Sequence, residues 1–163
     1  MVDLLNYITP DSVMALNGKS YDKILKLMVN DCLGSFSDDI QKQVIAEIRN
    51  KSRSKTPLDI NLGGGFALVH AKNSSVDGIY LKIGLLPEKQ HLLKGDDIHT
   101  LICIILSDNQ SRIYLSLLAK LGRMLNQPGA GDVFLSAGRC LAGGDREECE
   151  KIILDYVKDF EKD

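Results

Sequence analysis

Any side-chain chemistry in this chain rests on few residues, and the three histidines come first. His70 closes an apolar run, Phe66-Ala67-Leu68-Val69, that follows three consecutive glycines, Gly63 to Gly65. An imidazole at the end of a buried strand can be held by packing on one side while one nitrogen faces a cleft, although the same place also suits a structural histidine. His91 stands beside Lys89 in a Lys-rich turn and His99 leads into a later apolar run, so both read as ordinary loop histidines. None of the three has a ligand-type partner three or four positions away on a helix, and no metal site is supported. The glycines allow positive φ and close approach of the backbone to a neighbouring strand or a bound anion. No Gly-Lys-Ser or Gly-Lys-Thr follows them and no G-x-G-x-x-G can be drawn, so nucleotide binding is a weak reading. A nucleophile elbow is also missing, and Asp96-Asp97 reads as a solvated turn.

The elements that must position these residues follow from the spacing of apolar side chains. Val13 to Leu16 forms a brief strand after the turn Thr9-Pro10-Asp11. Ser20 caps a helix whose inner positions are Ile24, Leu27, Met28 and Cys32, with Gly34 at its end. A second helix starts at Ser37, buries Ile40, Val44, Ile45 and Ile48, and ends in the polar run Arg49 to Lys55 before Pro57. Strands are expected at Phe66 to Ala71, at Gly78 to Ile83 and, after a loop carrying Pro87 and Gly95, at Thr100 to Leu106. The last of these is apolar on both faces, as a central strand must be. Gln110 to Leu125 has helical spacing and is stopped by Gln127-Pro128-Gly129; a short helix near Asp132 to Ala137 and a long one from Asp145 complete the chain. With no internal repeat or linker, this order predicts one domain over residues 1–163: a three-layer α/β fold with helices on both faces of a short sheet.

Composition narrows the partners. Twenty Lys and Arg against 22 Asp and Glu leave a formal charge of -2, with no basic excess to neutralise a run of phosphates, which argues against nucleic acid. The longest apolar stretch, Leu101 to Leu106, is far below the roughly 20 residues of a membrane span, and the start lacks the pattern of a signal peptide, so a cytoplasmic location is expected. Cys32, Cys103, Cys140 and Cys149 form no C-x-x-C pair and read as reduced, mostly buried thiols.

Gly65-Phe66-Ala67-Leu68-Val69-His70 is similar to the Gly-Ile-Ala-Ile-Pro-His motif of the enzyme IIA components of the bacterial phosphotransferase system, in the fructose/mannitol class that includes the nitrogen-regulatory proteins. The opening Leu-Leu-x-x-Ile-Thr-Pro-Asp, two amphipathic helices, the glycine-rich approach to the histidine and the later Leu115-Ser-Leu-Leu-Ala-Lys-Leu helix appear in the family's order, over nearly the whole chain.

This resemblance implies a mixed, mostly parallel sheet between helices and a phosphoryl carrier. His70 would be the acceptor, its donor the phosphocarrier protein HPr or its nitrogen-branch counterpart, with no cofactor, nucleotide or metal required. Amides of Gly64 and Gly65 would cradle the phosphoryl oxygens. Arg53 stands within about one residue of the family's active-site arginine, with Ser54 where the family has Glu. Its alternative role is a solvated member of the run Arg49, Lys51, Arg53, Lys55. Val69 replaces the family's Pro, and Tyr114 occupies the place of a second histidine; a phenol can donate to phosphate but carries no positive charge near neutral pH. A stand-alone regulatory carrier is the leading expectation, because 163 residues leave no room for a fused IIB or IIC domain. A sugar-transport IIA serving a IIB component, and a IIA-like binding module without phosphotransfer, are the alternatives.

Overall fold

The computed structural model describes residues 2–17, 20–52, 61–93 and 96–163. Among the described residues, five strands form one sheet: β1 (Val13–Ala15), β2 (Asn61–Gly63), β3 (Phe66–Lys72), β4 (Ile79–Leu93) and β5 (Asp96–Leu106), in the order β1-β4-β5-β3-β2. β1 with β4 and β3 with β5 pair parallel, whereas β4 with β5 and β2 with β3 pair antiparallel. The sheet is mixed, as expected, with the two kinds of pairing in equal number.

Alternation along β3 explains the three layers. Phe66 and Leu68 point to one side, Ala67, Val69 and Ala71 to the other, and both sets are buried. On the second side lie α1 (Tyr21–Cys32) and α2 (Asp38–Ser52), whose Ile24, Leu25, Met28, Val29, Val44, Ile45 and Ile48 meet Cys103 and Ile105 of β5. On the first side lie α3 (Ser111–Leu125), α4 (Ala130–Ala142) and α5 (Arg146–Lys162), which bury Leu117, Leu121, Phe134, Ile153 and Val157 against Ile102 and Ile104. Each such aliphatic side chain contributes roughly 1.5–3 kcal/mol.

Two expected boundaries are corrected. The segment around Pro87, expected as a loop, belongs to β4, which continues to Leu93; Gly95 itself lies outside the described residues. Proline is tolerated because the β4–β5 register shifts between Leu85 and Gln90, where a ladder N–H can be missing. The short helix at Asp132 to Ala137 is a 13-residue helix, α4, extending past Gly138. A helix-interior glycine argues for a break by propensity, but here α4 crosses β4 so closely that a Cβ at Gly138 would overlap the Leu86 carbonyl. The glycine is what permits the approach. His91 and His99, expected in loops, lie in β4 and β5.

Lys120 of α3 and Glu161 of α5 form an ion pair (2.6 Å) with side chains only 14% and 11% exposed. Lys120 also donates to the Val2 carbonyl and Glu161 accepts from the Leu4 amide (2.9 Å), so one pair ties the N-terminal segment to two helices.

Candidate functional site

His70 is the fifth residue of β3, opposite Ile104 of the parallel strand β5, and it points to the α3 side of the sheet. β5 leads through the short turn Ser107–Gln110 into α3, so the first turn of α3 returns over the carboxyl end of β3, the end where parallel strands commonly carry sites. Tyr114 sits in that first turn, buried at 5% exposure, and its ring lies on the His70 imidazole with centroids 4.9 Å apart and planes inclined by 26°. An offset stack of this kind is worth about 0.5–1.5 kcal/mol and fixes the plane of the imidazole. His70 as a whole is half-buried, but its Nδ1 is sealed from solvent. Nδ1 is therefore not the nitrogen an incoming group could reach.

Lys72 belongs to no motif of the sequence. It follows His70 by two residues on the same face, about 7 Å further along the strand. Its side chain is exposed and forms no ion pair among the described residues, while its backbone N–H is taken by the Glu47 carboxylate of α2 (3.0 Å). Strand alternation alone could have found it. Other cations are placed elsewhere: Arg49 makes a two-pronged contact with Asp22 (2.6 and 2.7 Å) between α1 and α2, in the layer on the far side of the sheet, and Arg112 is exposed on α3 against Asn6 and Tyr7. Arg53 lies outside the described residues.

Gly64 and Gly65 are not at this site. They precede the opposite end of β3, and five residue steps along the extended chain carry Gly65 about 16 Å from His70, beyond the reach of an amide to a phosphoryl group there. Their backbone instead closes over His99. The His99 Nε2 lies 3.0 Å from the Gly64 carbonyl, its Nδ1 2.7 Å from Thr100 Oγ1, and Phe66 meets the ring edge-on at 4.8 Å. At Gly65 (φ 93°) a Cβ would occupy the space of the imidazole. The glycine turn and a histidine do belong together, but the histidine is His99, which burial holds neutral by pushing it below the ordinary histidine value, only partly opposed by the bond to Gly64. His91 is exposed and 3.5 Å from Asp97. The four cysteines are free thiols, three buried and Cys140 partly so. No cluster of metal-ligating side chains and no helix long and apolar enough to cross a membrane occurs among the described residues.

No family model and no curated protein sequence matches the chain. Solved structures do match. A phosphotransferase-system IIA (PtxA) from Streptococcus mutans superposes with a TM-score of 0.71 at 17% identity, over 94% of this chain and 90% of that one. The nitrogen regulatory protein IIA-Ntr from Neisseria meningitidis gives 0.65 at 14% identity, over 80% and 88%. The mannitol IIA from Escherichia coli gives 0.60 at 11% identity, over 92% and 98%. The chain has the fold of the fructose/mannitol-class IIA proteins of the phosphotransferase system, along nearly its full length.

Proposed function

We propose that this protein is a phosphohistidine carrier of a phosphotransferase system, accepting a phosphoryl group on His70 Nε2 from an HPr-like protein. The observation that carries the reading is the state of one imidazole, half-exposed at the carboxyl end of a strand, clamped by Tyr114 and sealed at Nδ1, within a IIA fold. With hydrogen on Nδ1, the Nε2 lone pair attacks the phosphorus of the donor's phosphohistidine. The new Nε2–P bond forms in line as the donor's N–P bond breaks, and the donor nitrogen leaves with the electron pair. The protein's share is to hold the ring and to offset the three phosphoryl oxygens. Lys72 and Arg53 are the cations proposed for the second task.

A regulatory role, as in the nitrogen branch, is favoured over sugar transport by Tyr114. A phenol adds no positive charge near pH 7 where the family has a second histidine, so onward transfer gains less electrostatic help and the phosphorylated state persists to be sensed. In the transport alternative, His70 passes its group to a IIB component.

Incubation with enzyme I, an HPr-like protein and phosphoenolpyruvate tests the carrier reading by intact mass. One phosphoryl group should be gained by the protein and none by His70→Gln; no gain overturns the reading and leaves a IIA-like binding module. Rapid loss of the group on adding a IIB component would favour transport over regulation.

A further inference from the structure

Helix α3 buries Tyr114, Leu117, Leu121, Met124 and Leu125, yet its outer side is also apolar. Leu115 is 64% exposed, Ala119 is exposed, and Leu118 and Gly122 are partly so. These four stand at i, i+3, i+4 and i+7, a continuous stripe about 10 Å long, and a Cβ at Gly122 would meet nothing within 4 Å. Small residues at the stripe's centre and end let another helix come close. The charges of α3 are all of one sign: Arg112, Lys120 and Arg123, with no acid, in a chain whose formal charge is -2. Lys120 is engaged by Glu161, but Arg112 and Arg123 are exposed, form no ion pair among the described residues, and stand three turns apart on one border of the stripe. On its other border the stripe adjoins the His70–Tyr114 stack, because Leu118 lies one turn beyond Tyr114.

We infer that this stripe is a docking surface for one helix of a partner protein, apolar on its contact face and bordered by acidic residues that meet Arg112 and Arg123. Two copies of this chain packed stripe to stripe with antiparallel helices would bring two basic borders together, which disfavours that self-association. The coupling to His70 rests on the reading above. A phosphoryl group brings about -1.5 to -2 charges beside the stripe, so the acidic partner binds the unmodified protein and is released by the phosphorylated one.

Two synthetic amphipathic helices with the same Leu/Ala face, one bordered by Glu and the other by Lys, provide the probe. The Glu-bordered helix should bind about tenfold more tightly, lose affinity with added salt, and shift the amide signals of Leu115, Leu118, Ala119 and Gly122. Leu115→Ser should weaken it about tenfold, and Gly122→Leu, whose Cβ would meet nothing within 4 Å, should do the same. Equal binding of the two helices, shifts away from α3, or a concentration-dependent dimer abolished by Leu115→Ser would overturn the surface. Chemical phosphorylation of His70 with phosphoramidate should weaken the Glu-bordered helix about fivefold or more. Binding at α3 that ignores the phosphoryl group overturns the coupling and keeps the surface. If His70 takes up no phosphate from phosphoramidate or an HPr-like donor while docking persists, the carrier reading fails and the surface stands.

Discussion

A single imidazole carries different consequences at His70 and at His99, and the difference is solvent. At His70 the ring is wet on one side, so His70→Gln should remove phosphate uptake and change thermal stability little. Tyr114→Phe keeps the stack and should keep most of the phosphorylation rate, whereas Tyr114→Ala frees the ring and opens a cavity, costing about 3–4 kcal/mol in denaturant unfolding. Equal rates in all three Tyr114 forms would remove the positioning role. Arg53→Ala should slow phosphorylation on the order of 100-fold if that cation acts on the developing charge; an unchanged rate assigns Arg53 to the solvated run and leaves Lys72 as the candidate. His99 is 1% exposed and its folded value is depressed by burial. The unfolded state therefore binds a proton first as pH falls: stability is full above the unfolded value of about 6.5 and declines below it. The urea midpoint should drop between pH 7.5 and 5.5, and in His99→Gln that drop should shrink. An identical drop in the variant would show that other groups cause it.

For α4 and β4, the approach at Gly138 is the sensitive point. Gly138→Val places branched carbons in the Leu86 carbonyl and should cost about 2–3 kcal/mol or prevent folding, even though valine and glycine are both poor helix formers. A midpoint unchanged from the parent would show that the two elements can separate without loss. The α3–α5 pair has an electrostatic counterpart. Glu161→Gln leaves the Lys120 ammonium largely buried beside neutral oxygen, and a cost of about 3 kcal/mol is expected from denaturant curves. A cost below about 1 kcal/mol would reclassify the pair as a surface contact.

Across the whole molecule, the two faces of the sheet are given different tasks. The α1–α2 face is packing, closed by buried aliphatic side chains and the Arg49–Asp22 contact at its rim. The α3–α5 face carries His70, the Tyr114 clamp and the outer stripe of α3. Phosphorylation would take a formal charge of -2 to about -3.5 to -4, a large relative change placed at one edge. That placement would let one modification alter the choice of partner.

Much of this was legible from residue order. Periodicity located α1, α2, α3 and α5 and the inner residues of β3 and β5, because burial on one or both faces leaves a repeat of 3.6 or a continuous apolar run. The Gly-x-x-x-x-His segment pointed to His70, and the family resemblance pointed to Tyr114 as the position of a second histidine. What local order could not decide were distances between chain-remote atoms. Gly65 and His70 stand close in sequence, but an extended strand advances about 3.3 Å per residue and carried them to opposite ends of β3. His99, 34 residues from Gly65, was brought into the glycine turn by the parallel pairing of β3 with β5. The same pairing set α3 above His70, and only that placement made Tyr114 a lid on the imidazole. Side-chain types and their periods are local properties of the chain, whereas the company each functional group keeps is decided by strand pairing and helix crossing.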